Sequence, residues 1–508
     1  MSNHLFDAIR SSITSTGSVF METDAGRNWT YGDMLDWSGK IAGALDTLGI
    51  RPGDRVAVQV EKSAEALMLY LACVRCGAVY LPLNTAYTLA ELDYFISDAE
   101  PRLVVAAPKM AEGIRSIAVK YEALVETLDE KGDGSLMDLA KDEAADFIDA
   151  SRASGDLAAI LYTSGTTGRS KGAMLTHDNL LSNALSLREC WHFTSKDRLI
   201  HALPIFHTHG LFVATNVTLV SGASMFLLPK FDSAQVLSLM PRATTMMGVP
   251  TFYVRLLQNE GLNHAAVAGM RLFISGSAPL LADTHRAFRE RTGQAILERY
   301  GMTETNMNTS NPYEGPRIAG TVGLPLPGVS VRVADPETGA PLAGDETGMI
   351  EVKGPNVFKG YWRMPEKTKS EFREDGFFIT GDLGKIDSQG YVHIVGRGKD
   401  LVISGGYNIY PKEVESEIDM LPGVVESAVI GIAHPDFGEG VTAIVVRRSD
   451  AKIDEKTILG ALNERLARYK QPKQIIFVDD LPRNTMGKVQ KNVLREQYSG
   501  LYSARANA

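Results

Sequence analysis

Cysteine is scarce, with three residues in 508. That excludes a disulfide-stapled scaffold and implies a reducing compartment. Two of the three form an isolated Cys73-Val74-Arg75-Cys76. Zinc wants about four ligands, and no second pair completes a set. Residues 64–76 are apolar at helical spacing, so core packing is preferred over a redox or zinc role. Positive charge is in deficit, with 52 Lys and Arg against 61 Asp and Glu, net −9. Proteins that coat nucleic acid are usually basic, so no nucleic-acid partner is expected. The most apolar run, 66–83, is cut by Arg75 and is too polar to span roughly 30 Å of hydrocarbon. No targeting segment is visible near Met1. These absences predict a cytoplasmic enzyme with no membrane partner. The Walker A pattern is also missing, which excludes a standard P-loop NTPase.

What is present is a long, ordinary globular composition, 44% hydrophobic and 22% charged. Such a length predicts two to four folding units. Helix-period and strand-type segments alternate through the first half: helices over 31–48, 63–76 and 89–97, and strands over 55–59, 78–82 and 103–106. After a polar stretch at 129–156 the pattern resumes with strands over 157–162, 198–203, 224–228, 245–249 and 271–274. Runs of this kind predict an α/β fold, a mostly parallel sheet packed with helices. Between 320 and 396 short runs with Gly and Pro predict a small β-rich subdomain. A boundary near 396–400 leaves about 110 residues of α+β texture, with helices over 411–420 and 455–466 and strands over 424–432, 442–447 and 474–478. The expected domains are therefore 1–396 and a smaller, mobile 397–508.

The stretch Tyr162-Thr163-Ser164-Gly165-Thr166-Thr167-Gly168-Arg169-Ser170-Lys171-Gly172 follows a buried-strand pattern. Gly165 and Gly168 let backbone approach an anion, hydroxyls and N–H groups offer donors, and Lys171 adds a point charge. This loop resembles the signature of adenylate-forming enzymes, the superfamily of acyl-CoA synthetases, adenylation domains and luciferases. Four further motifs follow in that family's order: Tyr300-Gly301-Met302-Thr303-Glu304, Thr380-Gly381-Asp382, Gly396-Arg397-Gly398-Lys399-Asp400, and Pro482-Arg483-Asn484-Thr485-Met486-Gly487-Lys488. The resemblance covers essentially the whole chain.

It implies ATP, Mg²⁺ and coenzyme A as the small molecules used: a carboxylate is adenylated, then transferred to a thiol. Thr163, Ser164, Gly165, Thr166, Thr167, Gly168 and Lys171 would hold the β- and γ-phosphates. Thr303 would contact the α-phosphate and Glu304 would take the metal, since a hard cation prefers carboxylate oxygen. Tyr300 would stack on adenine, with Gly276, Ser277 and Ala278 lining the purine and Glu298, Gly301 and Met302 in the same nucleotide-facing set. Asp382 would accept from the ribose hydroxyls, with Arg397 as ribose or phosphate partner. Lys488 would be the catalytic lysine and Lys399 the hinge. Gly405, Gly406 and Tyr407 would meet the pantetheine arm after the small domain turns. His207 completes the proposed catalytic set.

Within the superfamily, the segments 298–313, 207–212 and 354–362 closely resemble malonyl-CoA synthetases. That implies malonate as the acid, with Arg255, Arg299 and Ser277 holding its distal carboxylate and Thr208 and Met307 crowding its α-carbon. His207-x-His209 lacks a third metal ligand and reads better as packing or gating. Arg286 is a further candidate on a highly charged helix. A CoA ligase for methylmalonate or another short acid, or an adenylation enzyme charging a carrier protein, are the alternatives. A monomer or small homo-oligomer is expected, with a lysine acyltransferase acting on Lys488 as a further partner. Charge is unevenly spread: residues 465–495 hold eight basic and two acidic side chains, a strip suited to phosphates.

Overall fold

The computed structural model describes residues 2–163, 170–404, 407–463, 465–484 and 487–502. Four sheets organise them. Fully buried strands in the first half explain why the sequence shows continuous apolar runs rather than alternation. Five parallel strands, led by Arg55–Gln59, Val79–Pro82 and Leu103–Ala106, form the body of a seven-stranded sheet. The last of the five, Leu157–Thr163, pairs antiparallel with Lys171–Thr176, Thr163 facing Lys171, and the short strand Gly360–Tyr361 closes that edge. The predicted loop residues 164–168 lie between these strands and outside the described residues.

A nine-stranded sheet carries six parallel strands in its centre, among them Arg198–His201, Thr245–Gly248, Leu272–Ser275 and Ile296–Met302. The helix Ala64–Cys76 packs into the core the two large sheets share, and all its residues are buried. Ser63 caps its start by accepting from the Ala66 N–H, and Gly77 ends it at φ 77°, where a glycine is favoured. Cys73 and Cys76 are free thiols in this core. Burial pushes the Cys76 thiol up to about 12, which removes the reactive thiolate.

A four-stranded antiparallel sheet holds Ser330–Ala334, Gly348–Lys353, Phe378–Ile386 and Val392–Arg397. The last sheet is built from Val402–Ser404, Tyr407–Ile409, Val424–His434, Gly438–Arg447 and Gln474–Val478, with the helices Pro411–Asp419 and Glu455–Asn463 on its core. The mixed α/β class with a large first unit and a smaller last one is as expected. The element boundaries differ by a few residues, as when the strand predicted to open at 442 opens at Gly438 because it pairs Val424–His434 along its whole length. Among the described residues no helix is long and apolar enough to cross a membrane.

The strand Ile296–Met302 leaves the parallel sheet and turns back antiparallel onto Asn306–Ser310. A Cβ on Gly301 would lie 1.9 Å from the Asn306 carbonyl oxygen. Gly301→Ala should therefore destabilise the fold by about 2–4 kcal/mol, read as a lowered urea midpoint at unchanged slope.

Candidate active site

The ends of these elements enclose a cleft of about 1330 Å³. Single-ligand sites usually span about 300–1,000 Å³, so there is room for more than one small molecule. Its walls come from both sides of residue 397: Lys171, Thr303, Glu304, Tyr361 and Glu371 on one side, Lys399, Arg483 and Lys488 on the other.

Two buried arginines show how the molecule treats internal charge. Arg75 and Arg299 are equally hidden, each 3% exposed. Arg75 is saturated: it donates to Asp149 at 2.6 Å, to the Leu35 carbonyl at 2.6 Å and to Ser38 at 2.9 Å. Arg299 faces the cleft, and its Nε and Nη2 have no partner among the described residues. Burial without an anion pulls it down to about 9, so it is still a cation at neutral pH. A buried cation without a counter-ion costs several kcal/mol unless a ligand anion completes it.

The groups around Arg299 share the same incompleteness. Ser277 Oγ lies 3.2 Å from His209 Nδ1, while His209 Nε2 and Thr208 Oγ1 are buried and unpartnered among the described residues. Ser277 has φ 71°, a left-handed conformation uncommon for serine that aims its hydroxyl at this cluster. A Cβ on Gly276 would meet the Arg299 guanidinium at 2.3 Å, so only glycine leaves room for it. Burial pulls His207 down to about 4 and His209 well below its usual range, making both neutral. His209 opens a π-helical run, His209–Thr215, a geometry frequent at functional sites. Met307 closes the far wall. Its backbone is held by Asn183, which donates to the Met307 carbonyl at 2.8 Å and accepts from its N–H at 3.3 Å.

Farther along the cleft, Glu304 is buried and accepts from the Tyr361 hydroxyl at 3.0 Å, and burial raises its carboxyl. Lys171 Nζ lies 4.2 Å from the centre of the Tyr361 ring. Arg397 pairs with Asp382 at 2.7 Å, and the Tyr300 hydroxyl donates to the same carboxylate. Asp382 and Tyr300 thus stand behind Arg397, which itself lines the cleft. Lys488 and Lys399 face Arg397, and burial plus this like charge brings Lys488 down to about 8.

Several expected site residues do not join the cleft. Arg255 is exposed on the helix Pro250–Leu257, which turns Tyr253 and Leu256 inward instead. Glu298 is buried in the wall, where its Oε1 accepts from the Leu280 N–H at 3.1 Å and braces the loop after Leu272–Ser275. Tyr407 is exposed and stacks on Tyr469, ring centres 4.6 Å apart. Arg286 pairs with Asp283 at the surface. Gly276 and Ala278 shape the turn beside Ser277. Ser164, Gly165, Thr166, Thr167, Gly168, Gly405 and Gly406 lie outside the described residues. Sequence reasoning missed Tyr361, Glu371 and Asn183. Tyr361 stood in a quoted motif, but nothing local signalled the other two.

Known proteins fit this geometry. The family model for AMP-binding enzymes matches residues 13–362, and that for their C-terminal domain matches 413–488. The chain belongs to the AMP-binding enzyme family. It is 37% identical to a feruloyl-CoA synthase of an Amycolatopsis species, over 92% of this chain and 94% of that one. It is 34% identical to malonate–CoA ligase of Arabidopsis thaliana, over 97% and 90% of the two chains. Among solved structures, ATP-bound MatB from Rhodopseudomonas palustris is 64% identical, covers 99% of this chain and 100% of its own, and superposes with a TM-score of 0.97. The apo form of that protein, at the same identity, scores 0.87. The chain is an AMP-forming acid–CoA ligase, with ATP and CoA as substrates of its class.

Arg299→Met should stabilise the ligand-free protein by about 1–4 kcal/mol, because it removes an unpaired buried charge. Thermal melting of apo-protein would read this, and a lower melting temperature would contradict the reading of Arg299 as unpaired.

Proposed function

We propose that this enzyme joins malonate to coenzyme A through malonyl-AMP, releasing AMP and pyrophosphate. The observation that carries this is the unpaired Arg299 at the inner end of the cleft, beside Ser277, His209 and Thr208. A fatty tail would leave that guanidinium desolvated and alone. A second carboxylate on a short acid supplies the missing charge-assisted partner. Similarity to a malonate–CoA ligase supports the same acid. Arg255, being exposed, has no part in this reading.

In this reading malonate's distal carboxylate pairs with Arg299 while its other carboxylate points toward Lys488. Thr208 and Met307 flank the α-carbon between them. Lys171, with the loop that begins at Thr163, holds the terminal phosphates, and Thr303 takes an α-phosphate oxygen. The donor set fits Mg²⁺: this ion usually takes one or two carboxylates and completes its shell with phosphate and water. Glu304 offers one buried carboxylate, and no cluster of three or more His, Cys, Asp or Glu is found among the described residues. Bound there, the ion would neutralise phosphate charge.

The carboxylate oxygen attacks the α-phosphorus, the bond to the bridging oxygen breaks, and pyrophosphate departs with the electron pair. Negative charge grows where Lys488 Nζ can meet it, in a cleft where fixed charge is worth more than in water. The small unit then turns about Lys399, so that the face bearing Tyr407 replaces Lys488 and the CoA thiolate displaces AMP.

Pyrophosphate release should be strongest with malonate when malonate, methylmalonate, succinate, acetate and octanoate are compared, with CoA needed for thioester formation. Arg299→Met should lower kcat/KM for malonate by about 30- to 4,000-fold, the equivalent of losing a partner worth 2–5 kcal/mol, while affecting acetate far less. Equal losses would reject the pairing. Met307→Ala should raise the methylmalonate-to-malonate ratio of kcat/KM.

The pH dependence follows from Lys488. Its amine is charged below about 8 and neutral above. Adenylation kcat/KM should therefore fall as pH rises through about 8, since that quantity follows the free enzyme. Lys488→Arg stays charged and should lose that limb. Lys488→Ala should abolish adenylate formation yet spare thioester formation from supplied malonyl-AMP.

A further inference from the structure

One carboxylate in the cleft has no role so far. Glu371 lines it, and its Oε1 lies 3.8 Å from Lys171 Nζ. The same oxygen pairs closely with Lys367. Glu371 is fixed from behind: its carbonyl accepts from the Ile379 N–H at 2.8 Å, tying it to the strand Phe378–Ile386 that also carries Asp382. Lys171 is held from its other side by the Tyr361 ring, and Tyr361 donates to Glu304. Charges alternate along this chain of groups: Lys367, Glu371, Lys171, then Tyr361 leading to Glu304.

An anion standing against a phosphate-binding lysine works against the phosphate. Lys171 is only about one-fifth exposed, so its charge would be costly without a neighbour such as Glu371. Any phosphate that reaches it must take over from that carboxylate, and leaves Glu371 as a like charge beside the bound group. When the phosphate departs, Glu371 takes the lysine back.

We propose that Glu371 is a positioning residue that holds Lys171 in place between turnovers and promotes release of pyrophosphate by competing for it. Lys367 sets the strength of this competition by drawing on the same carboxylate oxygen. The proposal rests on the reading of Lys171 as a phosphate ligand. It adds no covalent step, only an exchange of ion pairs.

The test is inhibition of adenylate formation by added pyrophosphate, measured against ATP in the full-length enzyme. Glu371→Gln keeps size and hydrogen bonding but removes the charge. It should lower the pyrophosphate inhibition constant by about 10-fold, the factor that 1.4 kcal/mol carries, and lower KM for ATP in parallel. A purely structural role would leave the constant unchanged or raise it, and either result overturns the proposal. Lys367→Met, at a side chain 44% exposed, should move the constant the opposite way by a few fold, since Glu371 then falls wholly to Lys171. If Glu371→Gln did not fold, this variant decides alone, and an unchanged constant rejects the idea. Lys171→Met separates the two readings. If it leaves pyrophosphate inhibition intact, the phosphate role of Lys171 fails. If it weakens inhibition while Glu371→Gln does not strengthen it, only the role of Glu371 fails.

Discussion

Arg299 carries its charge in a cleft where no carboxylate among the described residues pairs with it. The rest of the site is arranged around that deficit. Gly276 gives up a side chain so the guanidinium fits, Ser277 takes a left-handed backbone with its hydroxyl on His209, and two neutral histidines avoid adding like charge. A fold can sustain such a charge only where surrounding packing is strong enough to absorb the penalty. Here two large sheets and the wholly buried helix between them provide that packing.

The same logic extends along the cleft. Lys171, Lys399 and Lys488 are all pulled below their usual range, mainly by burial. Anionic substrates relieve each of them, so binding and charge neutralisation are one event. The partners that already exist, Asp382 on Arg397 and Glu371 near Lys171, keep these cations ordered without saturating them. Arg75 shows the contrasting case, a buried cation fully satisfied by protein and placed outside the cleft.

Two halves of the chain meet at this charge. The large unit supplies the acid end and Lys171, and the part beyond residue 397 supplies Lys399 and Lys488. The basic strip noted at 465–495 is largely spent on structure. Arg483 pairs with Glu426, Lys491 with Glu415 and Arg495 with Asp400. Arg483 and Lys488 are the members of that strip that line the cleft, and Lys488 is the one whose charge is set by Arg397.

Local signals carried much of this in the sequence. The Gly, Ser and Thr run bounded by Thr163 and Lys171, the Thr303-Glu304 turn and the glycine before Lys488 are contiguous, and backbone chemistry ties such motifs to their loops. Periodicity marked most strands within a few residues because burial of apolar side chains is itself periodic. Tertiary structure alone separated Arg299 from Arg255. Both were expected to hold the distal carboxylate, yet one is sealed and without a partner for its Nε and Nη2 among the described residues while the other is in solvent. It alone brought Glu371 to Lys171 and Asn183 to Met307, pairs 200 and 124 residues apart. Residue type sets what a group can donate or accept, but whether that capacity is satisfied depends on neighbours that only folding supplies.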